Sequence, residues 1–326
     1  MTDAPDELSE ASPTPTTQGG LLTIAVAFAA NLLVAVAKTV AVALTGAASM
    51  VAEAAHSWAD AGNEVFLLVA QRRAARPPDR DHPFGYGREI YVWSLFAAIG
   101  LFAVGAGVSV THGIQELLQP EPAEDFVIAY VVLAVAAVLE GISFVQANRQ
   151  VKRAAARNER DLWTQVMRTS DPTVRAVFFE DAAALVGIAI AAAGIAGHQL
   201  TGSVMPDAAG SILVGLLLGV VAVVLIDRNR RFLVGEVADV RVWNAALAEL
   251  VAQPEVERVT ELRLSMVGAG LAFLSGAVDL VGNPDERTAA LQLATLERRL
   301  ATQDGVVLAL ISLSAPGDPS LEARQA

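Results

Sequence analysis

Apolar residues fill six long runs in the first two thirds of the chain. They are approximately Leu21–Leu44, Ala47–Ala70, Ile90–Leu117, Phe126–Val145, Val174–Leu200 and Ala208–Ile226. A helix needs about 20 such residues to cross the hydrocarbon core of a bilayer, so the pattern predicts six membrane-spanning helices. The second and fifth runs are the least uniform. His56 and Asp60 interrupt one, Glu180 and Asp181 the other. A charge near the centre of a span costs on the order of 2.5–3.5 kcal/mol on insertion scales. These two helices are therefore expected to face the inside of the bundle.

After Phe232 the long runs stop. Val242–Ala252 has helical periodicity, and Val256–Met266 alternates like a strand with Thr260, Leu262, Leu264 and Met266 on one face. Gly268-Ala269-Gly270 reads as a turn into a second strand, Ala272–Val281. Asn283-Pro284-Asp285 opens a helix to about Ala301 with Asn283 as its cap, and Val306–Leu313 is a last strand. The order αββαβ predicts a small two-layer α+β domain of ferredoxin-like type.

Composition supports the membrane reading. The chain of 326 residues is 54% hydrophobic and contains no cysteine, and its mean hydropathy is +0.47. Disulfides and thiolate metal sites are excluded. A net charge of −12 argues against a nucleic-acid partner. The basic residues are segregated. Arg72, Arg73, Arg76, Arg80 and Arg88 follow the second run. Arg149, Lys152, Arg153, Arg157, Arg160 and Arg168 follow the fourth, and Arg228, Arg230 and Arg231 the sixth. The intervening loops Thr45–Ser49, Gln119–Asp125 and Thr201–Asp207 carry no Lys or Arg. With six spans, both termini are then expected in the cytoplasm. The domain plan is an acidic disordered tail over 1–19, a transport domain over 20–231, a cytoplasmic domain over 232–316 and a tail over 317–326. Residues 1–19 lack the basic start of a signal peptide and the arginines of a mitochondrial presequence. A bacterial plasma membrane is the expected location.

The polar groups inside the runs carry the chemistry. His56 and Asp60, four apart, lie on one helix face and both can ligate a divalent metal. Glu53 and Asn63 extend this stripe by one turn on each side. Glu180 and Asp181 point about 100° apart, so one of them is expected to face the site and Asp181 is the favoured one. Lys38 is read as a structural charge paired with Glu53 or Glu140, since an unpaired buried lysine would lose its proton.

These motifs carry a resemblance to the cation diffusion facilitator family. They are Gly46-Ala47-Ala48-Ser49-Met50-Val51-Ala52-Glu53-Ala54-Ala55-His56-Ser57-Trp58-Ala59-Asp60 and, before the third run, His82-Pro83-Phe84-Gly85-Tyr86-Gly87-Arg88-Glu89. Asp171-Pro172-Thr173 and Phe179-Glu180-Asp181-Ala182-Ala183 look most like the branch that includes the ninth human zinc transporter, which is mitochondrial, and bacterial members. The resemblance implies a homodimeric secondary transporter that moves Zn²⁺ or a related divalent ion out of the cytoplasm in exchange for protons. It implies metal ligands at His56, Asp60 and Asp181. Val177 stands where many members have histidine, so the fourth ligand is unassigned among water, Glu180, Asn63 and Glu53. An oxygen-rich set keeps Mn²⁺, Fe²⁺ and Co²⁺ open beside Zn²⁺. Some relatives have a loop metal site; Asp79 and His82 match it weakly, while Tyr86 replaces its second histidine and is read as shaping the loop. The domain after Phe232 lacks the histidines of the family's bridging sites.

No resident cofactor is expected; metal and protons are cargo. A membrane metalloenzyme would need a base beside a substrate cavity, and no such further constellation is present, so the protein is not read as an enzyme. A non-transporting member that senses metal or scaffolds a partner is the other alternative.

Overall fold

A computed structural model of the chain describes residues 17–120 and 126–324. Of the acidic tail expected over 1–19, residues 1–16 lie outside the described residues, and Thr17–Gly19 are the first residues of α1. Helix α1 runs over Thr17–Thr45 and α2 over Ala48–Ala74. Helix α3, Glu89–Gly100, continues through a π-helical segment, Leu101–Ala106, into α4, Gly107–Leu118. Then come α5, Phe126–Arg157, a short α6, Leu162–Arg168, α7, Pro172–Thr201, and α8, Met205–Val234.

Among the described residues four helices are long and apolar enough to cross a membrane: 89–118, 126–157, 172–201 and 205–234. The polar stripe of α2 keeps that helix out of this group, and α1 contributes a shorter apolar stretch, Asn31–Thr45. Three of the expected loops begin as helix; in the first, Arg72 and Arg73 belong to the end of α2. Arg149, Lys152, Arg153 and Arg157 belong to the end of α5, and Arg228, Arg230 and Arg231 to the end of α8. Helices α5 and α8 run on past the end of their apolar run, because the Gln, Lys, Arg and Ala that dominate the α5 extension and the arginines of α8 are strong helix formers.

Helix α2 lies at the centre of this bundle, against α1, α3, α4, α7 and α8. Half of its buried positions are alanine, including Ala48, Ala52, Ala55, Ala59 and Ala70. Small residues let helix backbones approach closely where lipid supplies no hydrophobic drive. The same device joins α7 to α2: a Cβ at Gly187 would lie 2.7 Å from Glu53 Oε1. Asp207, in the first turn of α8, is buried and reaches across to the start of α2. It accepts from the Ala48 N–H at 2.6 Å and the Ser49 N–H at 3.3 Å, and from the Ser49 hydroxyl. A carboxylate there satisfies orphan N–H groups and meets the positive end of the α2 dipole. Ala47, the residue before α2, has no side chain to do this.

Beyond α8 lie α9, Val240–Val251, β1, Val256–Gly268, β2, Leu271–Leu280, α10, Glu286–Ala301, and β3, Val306–Leu313. The sheet order is β1-β2-β3. β1 and β2 form an antiparallel hairpin with Leu264 opposite Leu274, and β3 returns parallel to β2 after the α10 crossover. Trp243 and Leu250 of α9, Leu262 of β1, Leu274 of β2, Leu296 of α10 and Ile311 of β3 share one core. The cap of α10 is Asp285, whose carboxylate accepts from the Arg287 and Thr288 N–H groups. Asn283, expected in that role, instead has a positive φ of 53° and forms the turn before it, which asparagine tolerates.

Candidate metal site between two membrane helices

His56 and Asp60 face inward one turn apart on α2. Their side chains are 1% and 14% exposed, with His56 Nδ1 3.5 Å from Asp60 Oδ1. That approach is proximity without hydrogen-bond geometry. Both ring nitrogens of His56 and Oδ1 of Asp60 are buried without a hydrogen-bond partner. Unpaired buried polar atoms cost about 1–3 kcal/mol each, so such a cluster calls for an explanation.

Helix α7 meets this stripe with its carboxylate pair. Glu180 Oε2 accepts from Asn63 Nδ2 at 2.5 Å. Asp181 Oδ2 accepts from the Ser143 hydroxyl of α5 at 2.7 Å. Glu180 is thus the member of the pair bonded to α2, whereas Asp181, the residue expected to face inward, is bonded to α5. The 100° between adjacent residues splits them across two helix gaps. Glu140 of α5 and Lys38 of α1 are further ionisable groups buried in the same bundle. Among the described residues, no three His, Asp or Glu side chains are drawn together into a formed metal-binding group.

The neighbouring charges are organised from α1. Lys38 Nζ donates to Glu53 Oε2 at 2.8 Å, both residues fully buried. Of the two partners expected for Lys38, Glu53 is the one bonded to it. Glu140, buried on α5, keeps Lys38 as an electrostatic neighbour. One further carboxylate, not among the sequence-predicted groups, extends the polar stripe of α2. Glu64 of α2 accepts from Asn31 Nδ2 at 2.7 Å. It lies one turn beyond Asp60, so the i,i+4 spacing was the available signal. Val177 is half-buried one turn before Asp181 and supplies no ligand.

In the loop between α2 and α3, Asp79 organises a turn. Its Oδ1 accepts from the His82 N–H at 2.7 Å and the Asp81 N–H at 3.0 Å, and its Oδ2 accepts from the Tyr86 hydroxyl at 2.7 Å. The Tyr86 hydrogen bond holds the Asp79 carboxyl below the usual carboxylate range. His82 Nδ1 lies 3.3 Å from Asp79 Oδ1, and its ring packs 4.0 Å from that of Tyr86. Both carboxylate oxygens therefore serve the turn.

A bundle with several apolar crossings and ionisable groups buried between its helices defines a multi-pass membrane protein. The cation efflux transmembrane domain matches residues 24–234, and the chain belongs to the cation efflux family, the cation diffusion facilitators, which are transporters rather than enzymes. Metal tolerance protein C4 of Arabidopsis thaliana is 36% identical over 233 residues, 72% of this chain and 51% of that protein. The mitochondrial proton-coupled zinc antiporter SLC30A9 is 34% identical in Mus musculus and 33% in Homo sapiens, each over 259 residues, 79% of this chain and 46% of the relative. The chain spans about half the length of these curated relatives.

Proposed function

We propose that the protein is a secondary transporter that exports a divalent metal cation, Zn²⁺ foremost, from the cytoplasm in exchange for protons. The observation that carries this reading is the His56–Asp60 pair, buried without hydrogen-bond partners at both ring nitrogens and one carboxylate oxygen, opposite the α7 carboxylates. The printed names of the SLC30A9 relatives, proton-coupled zinc antiporters, support it. His56 and Asp60 are the α2 ligands, Asp181 is the α7 ligand, and Glu180, Asn63 and Glu53 are the candidates for the fourth position. Glu180 is held towards α2, the helix that carries His56 and Asp60, by Asn63.

Ligation requires a neutral imidazole and ionised carboxylates, so metal binding releases protons from the same groups. When the cavity opens to the other side and the metal leaves, His56 and a carboxylate take protons back, which couples the two fluxes without a separate path. Rocking of the helices around the fixed site alternates access. The reading includes six spans, both termini in the cytoplasm, a ferredoxin-like cytoplasmic domain, a homodimer and a bacterial plasma membrane. The segregation of Arg and Lys supports the orientation.

A second reading is export of Mn²⁺, Fe²⁺ or Co²⁺ by the same site. Val177 favours it, because it leaves His56 as the one imidazole beside oxygen donors, and such sets suit harder cations. Uptake of Zn²⁺, Mn²⁺, Fe²⁺ and Co²⁺ into proteoliposomes under an imposed pH gradient tests both. Metal-dependent proton flux is expected for the transported ions and separates a transporter from a non-transporting sensor. His56→Ala and Asp60→Ala are each expected to lower transport at least tenfold; full transport by either overturns the site.

A further inference from the structure

Helix α5 carries a stripe of arginines whose purpose the transport site does not explain. We infer that Arg149, Arg153 and Arg157 form a binding face for the headgroup of an anionic phospholipid.

The argument starts from the exposed side of the helix. Val131, Val135, Val138, Leu139, Ile142 and Val145 are 43–62% exposed and recur every three or four residues, so they share one face. In a membrane helix that face meets lipid tails. The same face continues without a break into Gln146, Arg149, Gln150, Arg153, Ala156 and Arg157, which line one open groove. It contains no carboxylate, and among the described residues the three arginines make no ion pair or hydrogen bond with a protein group. Three guanidinium groups at i, i+4 and i+8 without an acid between them repel one another unless an external anion sits among them.

Depth identifies the anion. At about 1.5 Å of rise per residue, Arg149 lies about 6 Å past Val145, Arg153 about 12 Å and Arg157 about 18 Å. The headgroup layer is about 5–8 Å thick on each side of the hydrocarbon core. Arg149 falls inside it. Helical side chains lean toward the N-terminus, which for α5 means back toward the bilayer, so Arg153 reaches the layer by snorkelling. Arg157 adds its field within about one Debye length, about 8 Å at physiological salt. A guanidinium fork matches phosphate oxygens in pairs, and a lipid phosphate beside this face keeps its tails on the apolar side of the same helix.

The test reconstitutes the full chain in vesicles of equimolar phosphatidylglycerol and phosphatidylcholine, with a photoactivatable analogue of one lipid or the other, and maps labelled peptides by mass spectrometry. Phosphatidylglycerol is expected to label the peptide over 146–157 at least tenfold more than phosphatidylcholine, each arginine contributing about fivefold at most. Arg149→Gln/Arg153→Gln/Arg157→Gln is expected to bring the ratio near one. Arg263→Gln/Arg287→Gln/Arg298→Gln, which removes the same charge from exposed positions of the C-terminal domain, is expected to keep it. The wild-type ratio decides even if the triple variant does not fold. Equal labelling by the two lipids overturns the inference, as does a preference that survives the triple variant. So do loss of labelling on adding excess inorganic phosphate, which identifies a free-phosphate site, and cross-links between the α5 faces of two copies.

Discussion

At the scale of single residues, the bundle is held by buried polar contacts that each have one replaceable partner. Lys38 and Glu53 are the sharpest case, a fully buried pair at 2.8 Å. Removing one partner strands the other charge, at a cost of about 3–5 kcal/mol, whereas removing both is often close to neutral. Lys38→Met is therefore expected to destabilise the protein by about that amount. Lys38→Met/Glu53→Gln is expected to recover most of it. Equilibrium unfolding of the four proteins in mixed micelles measures the coupling as a double-mutant cycle. Additive effects would show that the pair does not act as one. Asp207 offers a second case. It supplies acceptors to two N–H groups and one hydroxyl at the start of the helix that carries His56 and Asp60. Asp207→Ala leaves these donors unmatched, and a loss of about 2–4 kcal/mol is expected in the same unfolding assay from the capping and charged hydrogen-bond terms. Asp207→Asn, which keeps one neutral acceptor, is expected to lose about half as much.

At the scale of elements, close packing through glycine sets the helix spacing. A Cβ at Gly113 of α4 would sit 2.7 Å from the Ala208 carbonyl oxygen of α8. That neighbour is backbone and cannot step aside. Gly113→Ala is expected to destabilise by about 1–3 kcal/mol. Gly141→Ala on α5, where a Cβ meets open space, is expected to change stability by less than about 1 kcal/mol; equal effects would mean that α4 and α8 are not in tight contact. The helices themselves were legible in the sequence because long apolar runs are a strong, local signal. The strands of the C-terminal unit were legible from period-two alternation, and Val306–Leu313 coincides with β3. Three features were not. Helix α6 buries Val166 and Gln165, too few apolar positions in a charged loop to establish a period. The π-helical segment at Leu101–Ala106 has the same apolar composition as its flanks. The choice between Glu180 and Asp181 depends on where α2 and α5 stand around α7, and one helix's sequence does not encode its neighbours' positions. The His56–Asp60 spacing was readable because both residues lie on one helix; the contacts of Glu180 and Asp181 join different helices.

At the scale of the whole molecule, the membrane bundle and the C-terminal unit are joined by a set of contacts, and Asp239 is its hub. It caps α9 by accepting from the Arg241 N–H at 3.0 Å. It also receives Arg160, just before α6, at 2.5 Å and Arg168, the last residue of α6, at 3.1 Å. Arg241 in turn donates to the carbonyl oxygens of Asn158 and Glu159 just past α5. Nearby, the Gly270 N–H donates to the Ser170 hydroxyl at 3.0 Å, and a Cβ at Gly87 would lie 2.5 Å from the Val267 carbonyl oxygen. The segments before α3 and before α7, which lead into the helices around the site, thus both rest on the hairpin of β1 and β2. Burial alone would raise the Asp239 carboxyl, but the hydrogen bonds from Arg241, Arg168 and Arg160 outweigh it and hold the group below the usual carboxylate range. A folded-state value below the unfolded one contributes stability that is present above the unfolded pKa, about 3.9, and is lost as pH falls through the folded value. The junction is therefore expected to stay closed at neutral pH and to open in acid below about pH 4. Hydrogen exchange over 158–170 and the first turn of α9 reads this directly. In the wild type, protection corrected for the intrinsic pH dependence of exchange should be flat from neutral pH to about pH 5 and fall below about pH 4. Asp239→Asn, neutral at every pH, should show the reduced protection already at pH 7 while the core of the sheet stays protected. If Asp239→Asn matches the wild type at pH 7, the two arginines are surface pairs of little consequence, and the docking of the C-terminal unit rests on the glycine contact and the apolar cluster of Tyr91, Phe232 and Met266.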